Sequence, residues 1–450
     1  MPATILPLHP RQSAPETDTD LGEKLYRCVT ALYPLHRCIT GEGLRATLQI
    51  IGQRIPLTIH EIPTGTPVLD WTIPKEWEVR EAWIAKEDGT RIVDLAHSPL
   101  HVVQYSTPVH TWMRLRELRQ YLHTIPEQPD LIPYRTSYYN ETWGFCLSQN
   151  TLDRIAEEVG EDQQLKVFID SSLHEGSLTY GECVLPGESR DEILLSAHIC
   201  HPALANDNAS ALSIATALAR RLQNRRRTFT YRILFAPGTI GAIAWLAQNQ
   251  ATVDRIKHGL VLANLGDKGG FTYKMTRRGT LDSPLDLDRA VSLALQEDGV
   301  EMRPFEPFGY DERQFGSPGF DLPIGRLTRT PHGEYPEYHT SADNLSFVKP
   351  DKLASSFNAL ERILDILEGD GTYLNTAPFG EPMLGRRGLY RQTGGQVDTS
   401  DFQRALLWVL NLSDGDHSLI SIAERSGISF KTIRSAADQL LDTGLLKPVS

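Results

Sequence analysis

Cysteine is scarce in this chain of 450 residues: Cys28, Cys38, Cys146, Cys183 and Cys200 are scattered, and no two form a CxxC pair. That excludes a disulfide-stapled scaffold and a cysteine-based zinc site, and a cytoplasmic location is expected. Long apolar runs are missing too. No stretch approaches the roughly 18 uninterrupted apolar residues of a membrane-spanning helix. Residues 1–20 are polar and carry no apolar segment, unlike a secretory leader. Positive charge is in deficit: 45 Lys and Arg stand against 57 Asp and Glu, a formal net charge of −12. Nucleic acid and anionic membrane both attract a basic surface, so neither is an expected partner. Repeats and low-complexity tracts are also absent. The remainder, 40% hydrophobic and 23% charged, is ordinary globular usage with length for several domains.

Residues 1–20 read as a flexible tail. Helical apolar spacing runs through LGEKLYRCVTALYPL and resumes in GEGLRATLQIIGQRI, over 21–52. From 53 to 111 the pattern turns to alternation, in PVLDWTIP, WEVREAWIAKEDGTRIVDL and LHVVQYS, with EDGT as a hairpin turn. This stretch reads as a small inserted β domain. Over 112–370 strands and helices alternate: DEILLSAH, a helix over 209–223, TFTYRILF, a short helix in GAIAWLAQN, HGLVLANL, then a strand near 322–328 and a helix over 351–367. Such succession predicts an α/β fold with a mixed, largely parallel sheet flanked by helices, built from 21–52 and 112–370. Residues 371–395, rich in Gly, Pro and Asn, read as a linker. Residues 396–450 read as a winged helix-turn-helix domain. Its charge argues against DNA: from 401 to 450 five Lys and Arg face six Asp and Glu, and the presumed recognition helix SFKTIRSAADQLL offers Lys431 and Arg434 but carries Asp438. Packing, protein contacts or homo-oligomer formation suit it better.

Ligands of open α/β sheets bind beyond the carboxyl ends of the strands. His198 ends DEILLSAH, Asp207 follows just before a helix, Asp267 follows HGLVLANL, and His339 follows the strand near 322–328. Two imidazoles with one or two carboxylates suit zinc, which polarises a carbonyl and lowers the pKa of water. In AND, Asp207 also suits a helix cap, and LGDKGG around Asp267 also reads as a turn. His201 and Cys200 flank His198. His201 reads as a residue that orients a ligand; Cys200 reads as a small buried side chain, since no Cys–His–Asn pattern accompanies it. Arg135, Tyr138, Tyr139 and Trp143 gather in PYRTSYYNETWGF. Arginine among aromatics can clamp a carboxylate, though aromatics there also suit domain packing. Arg326 and Arg329 lie near the strand that leads to His339 and are further candidates for substrate contact.

SAHICHPALANDNASALSIATALA resembles the first metal segment of the co-catalytic zinc aminopeptidases, and YHTSADN resembles their last. DERQFGSPGFDLPIG resembles the substrate-side loop before it. The whole chain, over about residues 22–447, resembles bacterial aminopeptidase-like proteins with a C-terminal winged helix, through YPLHRCITGEG, DWTIPKEW, PEQPDLIPYRTSYY, WGFC, GSLTYGE, HICHP, PGTIG and RTPHGEYPEYHTSADN in one order. The resemblance implies His198, Asp207 and His339 as metal ligands, with Asp207 bridging if two ions bind, and Asp267 as a further ligand. It implies zinc, one ion or two, and hydrolysis of an amide in a small peptide or aminoacylated metabolite. One departure stands out. The co-catalytic enzymes carry two adjacent glutamates, a base and a ligand, after the strand matching TFTYRILF; here the loop reads APGTIGA, with Gly238 in that place. The base must then come from elsewhere, with Asp311, Glu312, Glu334 and Glu337 as candidates. The alternative is an aminopeptidase-fold binding protein that has lost turnover.

Overall fold

The computed structural model describes residues 17–137, 139–389 and 399–449. The first helix, Asp18–Leu32, opens where the Thr17 hydroxyl accepts the Asp20 amide N–H. Residues 18–20 of the expected tail are therefore helical, and 1–16 lie outside the described residues.

Eight strands form the main sheet, in the order Thr58–Pro63, Ser177–Leu185, Thr230–Ala236, Glu192–His198, Ile256–Leu262, Ile324–Thr328, Thr272–Lys274 and Glu301–Arg303. The four middle strands, from Thr230–Ala236 to Ile324–Thr328, run parallel. Antiparallel pairings flank them on either side. Glu192–His198 is buried along its whole length, as a parallel strand covered on both faces must be. Its side chains alternate: Ile193, Leu195 and Ala197 meet the layer of helices Asp18–Leu32, Ala211–Gln223 and Pro350–Gly369, while Leu194 meets the layer containing helix Ile240–Asn249. Ala211, Ala215 and Ala219, fully buried, let the helix Ala211–Gln223 approach the sheet closely.

A second, antiparallel sheet has the order Arg91–Asp94, Glu76–Ala85, Gln164–His174, Val109–Arg114. The boundaries expected at 53 and 111 differ from this pairing. Thr58–Pro63 joins the main sheet, where Ile62 packs in one cluster with Leu178. Gln164–His174 joins the second sheet, because Leu165, Val167 and Ile169 pack with Trp77 and Ile84.

The expected linker also differs at its start. Thr372–Asn375 is the middle strand of a small sheet, between Asp414–Ser418 and Leu446–Pro448, and Tyr373 enters the core. Residues 390–395 of that linker lie outside the described residues. Helices Thr399–Leu412, Leu419–Ser426 and Phe430–Asp442 complete the C-terminal unit. It packs on the rest of the chain: Arg434 donates to the Gly369 carbonyl (2.9 Å) and lies 3.0 Å from the Tyr373 hydroxyl, and the Ile420 amide donates to Asp370 (2.9 Å). One of the two cations of the presumed recognition helix thus points inward. Among the described residues no helix is long and apolar enough to cross a membrane.

Candidate metal centre

His198 is the last residue of Glu192–His198 and pairs with Ala236. Asp207 follows nine positions later, inside the irregular segment Ala205–Ser210 that precedes helix Ala211–Gln223. Its backbone is pinned by Asp343, whose carboxylate accepts from the amides of Asn206 (2.6 Å) and Asp207 (3.0 Å). Asp343 belongs to HTSADN, so one loop both delivers His339 and fixes the turn that carries Asp207. The Asp207 carboxylate lies fully buried among three imidazoles. Oδ1 is 2.7 Å from His198 Nε2; Oδ2 is 3.0 Å from His339 Nε2 and 3.6 Å from His201 Nδ1. Asn208 braces His198 from behind, its amide nitrogen 3.2 Å from Nδ1.

The electrostatics follow from that arrangement. Burial alone would raise the Asp207 carboxyl, but His201, His198 and His339 hold it well below the usual carboxylate range. Burial pushes His201 down to about 3, leaving a neutral ring whose buried Nδ1 has no hydrogen bond. Donor atoms of His198, His201 and Asp207 all lie within 4.8 Å of one another. Asn264, just past the strand Ile256–Leu262, adds a buried Oδ1 without a partner; its amide donates to the Tyr310 hydroxyl (3.2 Å), and the Tyr310 ring stacks on His198 at 4.8 Å. Nitrogen and oxygen donors around a carboxylate whose two oxygens face different imidazoles are the set that zinc accepts. Asn264 carried no sequence signal, since a single Asn after a strand reads as a turn residue.

The remaining site candidates divide by what they touch. Asp267 is engaged by other groups: it accepts from the Thr330 hydroxyl (2.6 Å), the Gly269 amide (2.7 Å), the Asn206 side chain (3.0 Å) and the Thr330 amide (3.3 Å). Those four bonds occupy its lone pairs. Among the four base candidates, the structure brings Asp311 to the site. Its Oδ1 accepts from the Thr239 amide at 2.7 Å, next to Gly238, and burial, eased by His198 and that amide, pushes its pKa up to about 6. A Cβ on Gly238 would stand 3.8 Å from His198 Cβ and 3.4 Å from Cys200 Sγ. The place of the absent glutamates thus adjoins the cluster, and a carboxylate from another loop lies beside it. Glu312 is fully buried against Lys274 (2.5 Å) and Arg326 (3.5 Å). Glu334 pairs with Arg303 (2.5 Å). Glu337 reaches the Thr340 hydroxyl through its backbone carbonyl (2.8 Å).

Arg329 is committed to structure rather than to a ligand: it donates to Ser356 Oγ (2.9 Å), Ser355 Oγ (2.8 Å) and the Gly269 carbonyl (2.6 Å), with its guanidinium over Phe271. Arg135 is exposed, 3.0 Å from His123 Nδ1. Tyr139 packs edge-on against Trp71 and Tyr105, and Trp143 stacks on Tyr121 at 3.9 Å. Tyr138 lies outside the described residues. Burial pushes the Cys200 thiol up to about 12, and its Sγ accepts from the Gly238 amide, so it is no thiolate nucleophile.

Sheet, helices and cluster together define an aminopeptidase-like α/β protein carrying a winged helix. Residues 26–370 match the family described as Domain of unknown function (DUF4910), and 371–448 match a winged helix-turn-helix family; the chain belongs to the first and ends in the second. A Clostridium acetobutylicum protein, provisionally described as a polysaccharide biosynthesis protein with an aminopeptidase-like domain, is 45% identical over 436 residues, covering 96% of this chain and 98% of that one. A crystal structure from the same organism, provisionally described as a peptidase, superposes with a TM-score of 0.89 at 44% identity, over 96% of this chain and 97% of that one. A zinc aminopeptidase from Bacillus subtilis shares the fold at a TM-score of 0.56 and 11% identity, over 76% of this chain and 94% of that one.

Proposed function

We propose that this protein is a metal-dependent hydrolase of amide bonds, an aminopeptidase acting on a peptide or small aminoacylated metabolite. His198, Asp207 and His339 hold zinc, with His201 as a further donor in reach of the same space. One ion is the expected complement, and the two-sided Asp207 carboxylate leaves room for a second. The observation that carries this reading is the buried Asp207 with an oxygen toward each of two imidazoles, beside the unpartnered His201 Nδ1. A buried carboxylate is costly unless positive charge and hydrogen-bond donors compensate it, and a metal ion completes such a set.

Zinc bound there supplies Lewis acidity, which polarises an amide carbonyl and makes water easier to deprotonate. The chain's own residues do the rest. Asp311 keeps one oxygen on the Thr239 amide and has the other to take up a proton. Its raised affinity for that proton suits a base working near neutral pH. Tyr134, Tyr310 and Tyr338 wall the cluster with their rings and limit water.

Because the Clostridium relative is described as a polysaccharide biosynthesis protein, amides borne on sugars are worth testing beside peptides. A second reading keeps the ion and drops the turnover: with Gly238 in place of the two glutamates, the protein recognises its ligand without cleaving it. Zinc-loaded protein assayed against aminoacyl anilides, dipeptides and N-acyl amino sugars separates the two. Turnover that zinc restores after chelation supports the hydrolase; stoichiometric zinc with no turnover on any of them supports the binding protein.

A further inference from the structure

Near the cluster stands an imidazole that the hydrolytic reading leaves unused. His332 lies against Tyr310 and Tyr338, with ring centroids 5.0 and 6.1 Å away. These two rings are also the ones that stack on the cluster, Tyr310 on His198 at 4.8 Å and Tyr338 on His339 at 3.9 Å. His332 is therefore one ring removed from the cluster, through either tyrosine, and near enough for the charge of Asp207 to act on it. Phe308, an exposed ring, flanks it on the outer side at 5.4 Å.

Arg326 determines where the His332 proton sits. Its Nη1 is 3.2 Å from His332 Nδ1. A guanidinium can only donate, so Nδ1 accepts, and in a neutral ring the proton must be on Nε2. Arg326 is itself held. It is buried on the strand Ile324–Thr328, 3.5 Å from Glu312 and over the Tyr310 ring. Glu312 is pinned in turn by Lys274 (2.5 Å), whose ammonium also donates to the carbonyls of Glu306 (2.9 Å) and Phe308 (2.6 Å). Burial first, then the Arg326 charge, push His332 down to about 4, so the ring is neutral at physiological pH. Among the described residues, Nε2 has no hydrogen-bond partner. His332 is thus a neutral donor with a fixed tautomer and an uncommitted Nε2–H, backed by a buried Lys–Glu–Arg triad.

We propose that His332 Nε2–H is the hydrogen-bond donor that meets the carbonyl oxygen of the bound amide and stabilises the oxyanion it becomes, with Arg326 as the positioning residue. The proposal rests on the hydrolytic reading of the cluster. As the water oxygen bonds to the carbonyl carbon, the C=O π pair moves onto the carbonyl oxygen, the water proton passes to Asp311, and the Nε2 proton stays on the imidazole. A donor already aimed where negative charge develops contributes without reorganising.

Inorganic phosphate, a tetrahedral oxyanion, is the probe. Its dissociation constant is measured by calorimetry on zinc-loaded wild type, His332→Phe and His332→Gln, after the zinc content of each is determined. Phenylalanine keeps the ring packing and donates nothing; glutamine restores an N–H near the place of Nε2. The expected result is equal zinc in all three, phosphate about ten- to a hundredfold weaker in His332→Phe, and within about threefold of wild type in His332→Gln. Zinc-loaded wild type that binds phosphate no better than His332→Phe overturns this proposal alone. Wild type that takes up no zinc overturns the hydrolytic reading and this proposal with it. Nitrogen NMR of the wild-type protein needs no variant: His332 Nδ1 is expected unprotonated at neutral pH, and a proton found there overturns the assignment.

Discussion

Replacing Asp311 by asparagine should move stability and activity in opposite directions. Asparagine keeps the size of the side chain, and its Oδ1 can go on accepting the Thr239 amide, now at 2.7 Å. What it removes is the charge. In the folded chain burial pushes the Asp311 carboxyl up to about 6 from an ordinary value of 3.8. The fold therefore holds this proton more tightly than the unfolded chain does, and stability is lost as pH rises from 3.8 through about 6. At about 1.4 kcal/mol for each tenfold in the proton equilibrium, the loss is roughly 3 kcal/mol by neutral pH. Asp311→Asn escapes it. Denaturant unfolding of the zinc-free protein at pH 7.5 should show a gain on the order of 1–3 kcal/mol that shrinks as the pH is lowered toward 4. Zinc content should stay at the wild-type level, while kcat for the proposed amide hydrolysis should fall about 10²- to 10⁴-fold, the usual share of a general base. An asparagine variant that is less stable, loses zinc and keeps its turnover would refute the assignment, making the carboxylate structural and placing the base elsewhere.

Asp343→Asn leaves one of the two amide N–H groups of Asn206 and Asp207 facing a donor, which should loosen the turn that carries Asp207 and weaken zinc, read by metal titration. Arg329→Met removes three donors and strands the Gly269 carbonyl; stability should fall by about 2–4 kcal/mol with zinc content and KM unchanged, and a raised KM would restore Arg329 as a substrate contact. Gly238→Glu should fold, because a Cβ there meets ordinary contact distances, and elemental analysis should find more zinc bound than in wild type. Burial holds His36 and His258 neutral down to about 4, so each favours protonation on unfolding; stability should fall as pH drops from about 6.5 toward 4, and a His36→Gln, His258→Gln double variant should flatten that slope in acid unfolding curves.

Much of the architecture was legible because it is local. The all-apolar DEILLSAH announces a strand covered on both faces, and the imidazole at its end marks the carboxyl edge where sites form. Pairing is not local. Nothing in TIHEIP says that it will border the main sheet instead of the neighbouring hairpin, or that Gln164–His174 will slot between Glu76–Ala85 and Val109–Arg114. Those choices are made by packing between segments far apart in the chain. Thr372–Asn375 was hidden for a related reason: a four-residue strand followed by Gly and Pro carries too short a pattern to separate from a loop. Within the site, His198, Asp207 and His339 stood out by position, whereas the partners of Asp267, Arg329 and Glu312 come from other loops and strands. A charged residue's role depends on those partners, so sequence could nominate Asp311, Glu312, Glu334 and Glu337 together but not choose among them.

Metal content tests the central claim most directly. Wild type, His198→Ala and His339→Ala are purified without chelator, supplied with zinc, desalted and measured by elemental mass spectrometry. About one zinc per chain or more in wild type, lost in both variants while their unfolding stays cooperative, is the result the account predicts. No zinc in wild type even after loading, or zinc retained equally in both variants, would contradict it and leave the imidazoles around Asp207 as structural partners of a buried carboxylate.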